Sequence, residues 1–338
     1  MDNKNSQFMK LAINKAWKYQ LLTYPNPAVG ATVVRNNEVL SVEAHKKSGY
    51  SHAEVLALKS AYLNKYPNSE LQYLELSKDI HNFLLNHHNG FFNDCEIYVT
   101  LEPCNHLGKT PACAILLESI KIKKVFIGTL DPNSEASGGL QRLKNANIDV
   151  EVDISKDLTD QLLYPFIKWN NDQFVFYKLA MREDGSIDGG YITTKDSLKI
   201  VHEIRTKLDL MIIGGETVRT DRPTLDSRYA TINKPVDILI YSNKKEFDRT
   251  IPLFGVKNRK VRISDEFEID NKNFVMIEGG YKLLKSVKDK IDYLVVFISH
   301  KIKSDKIFNI EDLGFKKLYS YNINEFDEVV FFTTKKRG

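Results

Sequence analysis

The chain has 338 residues, 42% of them hydrophobic and 27% charged, and a formal net charge of +4. The composition is that of a soluble globular protein and the length suits two domains, which argues against disordered and fibrous classes. The small charge, with lysines scattered rather than gathered in a stripe, argues against nucleic acid as a partner and leaves small anionic ligands open.

Three cysteines are too few, and too odd a number, for a secreted disulfide framework. No apolar run approaches the ~18 residues of a membrane span, and the opening residues lack a signal-peptide core. A cytoplasmic protein with no membrane partner is expected.

Phe8, Leu11, Ala12, Ala16 and Tyr19 recur at helical spacing and predict an opening amphipathic helix, broken by YPNPAVG at 24–30. AVGATVVR and EVLSVEA predict two strands joined by a turn at Asn36-Asn37. AEVLALKSAYL (53–63) reads as a helix, CEIYVTL (95–101) as a strand, and PACAILLESI (111–120) as a helix with Pro111 in its first turn. KVFIGTL, GLQRLKNA and IDVEV continue as strand, helix and strand. This alternation predicts an α/β sandwich on a largely parallel sheet. A linking helix is expected within 154–172. A second alternation then begins near 174, with FVFYKLAM, DLMIIGG, VDILIYS, FVMIEGG, DYLVVFIS and EVVFFTT as strands and KDSLKIVHEIRTKL as a helix.

Two constellations carry chemistry. In the first, His52 and Glu54 of SHAEV sit where the chain enters a helix, and Cys104 and Cys113 of TLEPCNHLGKTPAC flank the start of another. One imidazole and two thiolates suit zinc and leave a fourth tetrahedral position for water. Helix N-termini help to stabilise the thiolates. Glu54 is expected to stay off the metal, taking the proton of the attacking water and passing it to a ring nitrogen and then to departing ammonia. H-x-E followed by P-C-x-x-C is the pattern of zinc base deaminases; here C-x₈-C replaces C-x₂-C. H-x-E alone is a weak signal, whereas together with a strand, EPC and a second cysteine opening a helix it is strong. Cys95 opens an apolar strand and reads as a buried core residue.

NPAVGATVV and TLEPCNHLGKTPAC resemble the bifunctional riboflavin-biosynthesis deaminase/reductase family, whose second cysteine follows a loop of the type P-C-x-x-x-G-[RK]-T-P-x-C. The resemblance implies a cytidine-deaminase-like α/β/α sandwich over 1–153, one zinc ion per chain, and hydrolytic deamination of a diaminopyrimidinone ribosylamino phosphate. Asn26 falls where the family contacts the base, and His45, His106 and Lys109 where it contacts the phosphorylated substrate. Residues 64–94 depart from the family as an insertion. Leu71, Leu74, Ile80, Phe83 and Leu84 suggest one or two added helices there. His81, His87 and His88 lack a cysteine or acidic partner at ligand spacing and read as a solvated helix end rather than a second metal site.

The second constellation is a repeated strand–Gly-Gly turn, in LDLMIIGGETVRTDRPTL (208–225) and FVMIEGGYKLL (274–284). Such turns let backbone N–H groups approach phosphate at a helix N-terminus, and two in one domain support a dinucleotide site. KLAMREDGSI, YITTKDSLKIVHEIR, GGETVRTDRPTL and IEGG match, in order, the reductase half of the same family. The match implies a dihydrofolate-reductase-like α/β domain over 173–338 that uses NADPH to reduce a ribosyl side chain to ribityl. Ala180, Tyr191, Thr217, Asp221, Ser242, Gly279 and Gly280 fall at cofactor positions. Gly189, Arg205, Leu225, Arg228 and Glu278 fall at substrate positions, where the two arginines suit a phosphate.

The family usually has tryptophan at the position of Tyr191 and serine or similar at that of Gly189. The loops after Asp184-Gly185 and after Arg228 are short. A homo-oligomer acting on a small phosphorylated pyrimidine is expected. A tRNA or nucleoside deaminase with an unrelated C-terminal module predicts C-x₂-C, and for tRNA a basic face. A degenerate zinc module acting only in binding predicts loss of Glu54 or of a ligand. The sequence shows none of these features.

Overall fold

The opening helix α1 (Asp2–Trp17) buries Phe8, Met9, Ala12, Ile13, Ala16 and Trp17. Leu11, expected on that stripe, is 39% exposed. At about 100° per residue it falls on the side of the helix opposite Met9 and Ala16. The computed structural model describes residues 2–106, 110–133, 137–269, 271–303 and 310–334. None of the helices among these residues is long and apolar enough to cross a membrane.

Strands β1 (Gly30–Arg35) and β2 (Glu38–Ala44) form a hairpin. Asn36 and Asn37 turn it at φ 49 and 68, the left-handed pair that a two-residue turn requires. After α2 (Ala53–Lys65), the insertion forms a 3₁₀ turn at Glu70–Tyr73 and one helix, α3 (Ser77–His87). Leu71, Ile80 and Leu84 join the core. Next come β3 (Cys95–Leu101), α4 (Cys113–Ser119), β4 (Lys124–Thr129), α5 (Gly139–Asn145) and β5 (Asp149–Glu151). Helix α4 opens later than expected, with Ala112 as its N-cap and Pro111 still outside.

The five strands run in the order β2-β1-β3-β4-β5, antiparallel around β1 and parallel from β3 to β5. This sheet is therefore mixed rather than largely parallel, because a two-residue hairpin can only pair its strands antiparallel. Helix α6 (Lys156–Asn171) follows, and the chain divides into two units, Met1–Ile167 and Lys168–Gly338.

The second unit contains β6 (Phe174–Arg182), α7 (Lys195–Arg205), β7 (Leu210–Gly214), α8 (Gly215–Asp221), β8 (Ile238–Tyr241), β9 (Val261–Ser264), β10 (Phe274–Glu278), α9 (Tyr281–Val287), β11 (Tyr293–Ser299), β12 (Phe315–Asn322) and β13 (Asp327–Thr334). Its sheet runs β12-β13-β11-β6-β10-β7-β8-β9, parallel between neighbours from β11 to β9. The C-terminal ends of β6, β10, β7 and β8 consequently share one edge, the side on which open α/β sheets bind ligands. Asp327, fully buried, accepts from Thr194 N, Thr194 Oγ1 and Ser197 Oγ at 2.7, 2.6 and 2.5 Å. Its carboxylate thus satisfies donors at the start of α7, where the helix dipole favours negative charge.

Candidate functional site

His52 is the N-cap residue of α2, in extended backbone, so its ring leaves the helix axis and faces the end of β3. There Pro103 carries the chain into Cys104, and Cys113 opens α4. His52 Nδ1 lies 3.5 Å from Cys104 Sγ and 3.5 Å from Cys113 Sγ. The three ligand atoms all lie within 4.8 Å of one another. The Cys113 backbone N–H donates to Cys104 Sγ at 3.4 Å. The Cys113 thiol beside it, with His52, holds Cys104 down to about 4, while Cys113 is pushed up. One nitrogen and two sulfurs at this spacing form the donor set that tetrahedral zinc prefers, and two thiolates balance its charge.

Glu54 is 4% exposed on the first turn of α2. Burial pushes its carboxyl up to about 7, where it can both take and return a proton near neutrality. His45 Nδ1 lies 3.1 Å from the Ser51 carbonyl and Nε2 lies 3.2 Å from Asn26 Nδ2. The ring is therefore neutral, donating to Ser51 and accepting from Asn26, and burial holds its pKa down to about 4. Ser48 Oγ donates to Asn26 Oδ1 at 3.2 Å, so both ends of that amide are fixed. His45 thus holds Asn26 from inside, with both ring nitrogens engaged. His106, two residues beyond Cys104, is exposed, and Lys109 lies outside the described residues.

His81, expected on a solvated helix end, is instead buried, with Nε2 3.4 Å from the Ala112 carbonyl. It shares the inner face of α3 with Ile80 and Leu84, and that face packs on α4. His87, the last residue of α3, is exposed as expected.

Glu102, in EPC, had no role assigned from the sequence. It is buried, and its carboxylate accepts from the backbone amides of Asp131, Gly138 and Leu140 at 3.2, 3.0 and 2.9 Å. It pins the start of α5 beside the Cys104 loop. A Cβ on Gly139 would lie 1.8 Å from the Pro103 carbonyl oxygen, so only glycine allows that approach.

In the second unit the two Gly-Gly turns follow β7 and β10. A Cβ on Gly215 would meet Ser242 at 2.5 Å, so the first turn is packed against the end of β8 by an approach only glycine permits. Thr217 and Asp221 stand on α8, which this turn opens. Ala180 lies two residues beyond Lys178 on β6, beside the point where β10 gives way to Gly279-Gly280. Tyr191 is 78% exposed, and Gly189 is exposed on the same loop.

Glu278 is gripped between two cations, with Lys178 Nζ at 2.7 Å and Arg205 Nη2 at 3.0 Å. Against the upward push of burial, they hold its carboxyl down to about 2. Arg205 Nη1 also donates to the Asp226 carbonyl at 3.1 Å, so this guanidinium is already engaged within the protein. The Arg228 side chain is 48% exposed and pairs with Asp226 at 2.8 Å. Leu225 stands at φ 55, a strained conformation for a branched side chain. Arg259 holds this turn, donating to the Thr224 and Leu225 carbonyls at 2.9 and 2.6 Å. The sequence reading missed both Lys178 and Arg259. A lysine inside the apolar run of β6 was a signal for the first. The second gave none, since its partners lie more than thirty positions away.

Residues 2–129 match the family model of the cytidine and deoxycytidylate deaminase zinc-binding region. The riboflavin biosynthesis protein RibD of Aquifex aeolicus is 30% identical over 93% of this chain and 92% of that protein. The chain belongs to the RibD family. The RibD of Haemophilus influenzae is 33% identical, in a match spanning 66% of this chain and 55% of that protein. The solved structure of a diaminohydroxyphosphoribosylaminopyrimidine deaminase/5-amino-6-(5-phosphoribosylamino)uracil reductase from Thermotoga maritima is 25% identical. It has a TM-score of 0.61 and covers 98% of this chain and 99% of its own. RibD of Acinetobacter baumannii, 24% identical over 99% of this chain and all of its own, shares the fold at a TM-score of 0.63. The fold is thus that of RibD, a cytidine-deaminase-like zinc-binding domain followed by a second α/β domain.

Proposed function

We propose that this RibD-family chain is a bifunctional enzyme of riboflavin biosynthesis. Residues 1–153, with the insertion at about 64–94, form the deaminase for 2,5-diamino-6-(5-phosphoribosylamino)pyrimidin-4(3H)-one. Residues 173–338, beyond a linking helix at 154–172, form the NADPH-dependent reductase that turns the ribosyl side chain into ribityl. The observation that carries this reading is the His52–Cys104–Cys113 cluster with a buried carboxyl two residues from the histidine.

Zinc held by these three residues supplies Lewis acidity and lowers the pKa of water to roughly 7. The Glu54 carboxylate takes one proton of the water and delivers it to the ring nitrogen, then takes the second from the newly added hydroxyl as that becomes the carbonyl and passes it to the amine, which leaves as ammonia. Asn26 orients the base through an amide fixed by His45 and Ser48. His106 and Lys109 contact the phosphorylated side of the substrate.

In the reductase, NADPH supplies the hydride, so the protein's task is positioning. The Gly214-Gly215 and Gly279-Gly280 turns offer it backbone amides, with Ala180, Tyr191, Thr217, Asp221 and Ser242 around them. Gly189, Leu225, Arg228 and Glu278 hold the substrate. Arg228 reaches for its phosphate, while Arg205 sets the Glu278 carboxylate in place. The enzyme acts in the cytoplasm as a homo-oligomer. A two-stage assay tests the proposal. Ammonia release from the diaminopyrimidinone is expected first, then NADPH oxidation when the deaminated product is supplied. A zinc-loaded chain that lacks either activity would refute it.

A further inference from the structure

We propose that Thr110 is a positioning residue for the metal-ligating histidine, a role that rests on the deaminase reading above. His52 turns Nδ1 toward both sulfurs, 3.5 Å from each. A neutral imidazole that offers one nitrogen to a metal keeps its proton on the other. That other nitrogen, Nε2, lies 3.2 Å from Thr110 Oγ1, so its N–H donates to the hydroxyl oxygen.

The hydroxyl is well placed to hold the ring. Thr110 is 8% exposed and immediately precedes Pro111. A residue before proline is kept out of helical backbone, and a branched Cβ restricts χ1. The side chain therefore reaches the ring with little rotamer freedom to lose. On another side, the His45 ring stands edge-on to His52 with centroids 5.5 Å apart.

This arrangement gives the C-x₈-C spacing a physical purpose. Thr110 stands six residues after Cys104 and three before Cys113, a position that a two-residue spacer does not contain. One loop then supplies two ligands and the group that fixes the third. Partners of this kind alter metal affinity by about 10–100-fold when removed.

The test uses the full chain with Thr110→Val, which keeps the shape and removes the hydroxyl, and Thr110→Ser, which keeps the hydroxyl. Zn²⁺ affinity is measured by competition with a chromogenic chelator. Thr110→Val is expected to bind zinc about 10–100 times more weakly, Thr110→Ser to stay near wild type, and both to oxidise NADPH normally. Nitrogen-detected NMR of the zinc-loaded wild type provides a readout independent of any variant, with the His52 proton expected on Nε2. Wild-type zinc affinity in Thr110→Val, or a His52 proton on Nδ1, would overturn the proposal. A wild-type chain that takes up no zinc would overturn the deaminase reading and this proposal together.

Discussion

At the scale of single residues, the separation of roles around each site makes distinct predictions. Cys113→Ala leaves His52 and one thiolate, so zinc content and ammonia release should fall together; full zinc occupancy in that variant would show that Cys113 is not a ligand. Arg228→Ala should lower kcat/KM for NADPH oxidation by about 10- to 150-fold, the effect of a lost charged partner felt in the transition state. Unchanged reductase kinetics would remove Arg228 from the site.

His202 carries a pH dependence. It is 5% exposed on α7, and burial, with Arg205 beside it, holds its pKa down to about 4 from 6.5. The unfolded chain takes up this proton at higher pH than the folded one. Stability is therefore full above 6.5 and declines as pH falls toward 4. His202→Gln should flatten that decline, by roughly 1–3 kcal/mol, in urea titrations across this window. Identical slopes in the two proteins would contradict the assignment.

The sequence made His52, Glu54, Cys104 and Cys113 legible because their chemistry and spacing are rare together. It could not show that Glu102 binds the amides of residues 131–140 or that Arg259 holds the turn at Leu225. Those partnerships join positions about thirty or more apart through backbone groups that every residue carries.

At the scale of elements, β6, β7, β10 and β11 were legible as apolar runs because central parallel strands are buried on both faces. The edge strands β9 and β12 were not. The first has four half-exposed or exposed residues, and the second exposes Lys316 and Lys317, the kind of charge that blunts an edge. The insertion was read correctly as helical, yet one histidine of its helix packs against the start of α4. Replacing His81, His87 and His88 with asparagine should leave zinc at one ion per chain, because none of the three lies in the ligand cluster. A loss of bound zinc that purified, folded protein cannot recover would overturn that reading. Asp327 makes a second test at this scale. Asp327→Ala removes the acceptor for three donors at the head of α7, and chemical denaturation should register a loss of roughly 1.5–3 kcal/mol. A loss within error of zero would show that α7 is held by other contacts.

At the scale of the molecule, each unit has its own hydrophobic core, and each proposed site draws on residues of one unit. Their chemistries share no group. One needs zinc and a carboxyl that shuttles a proton, the other a nicotinamide and a cradle of glycine turns. Damage to either should therefore leave the other intact. Glu54→Gln tests this most directly, because it changes a single carboxyl and removes no metal ligand. Zinc content, ammonia release from the diaminopyrimidinone and NADPH oxidation on the deaminated product should be measured on one preparation of this variant. The expected result is full zinc, ammonia release reduced by about 10⁴-fold, near the top of the range for a general acid–base group, and wild-type NADPH oxidation. Ammonia release near the wild-type rate from a zinc-loaded Glu54→Gln chain would contradict the account at its centre.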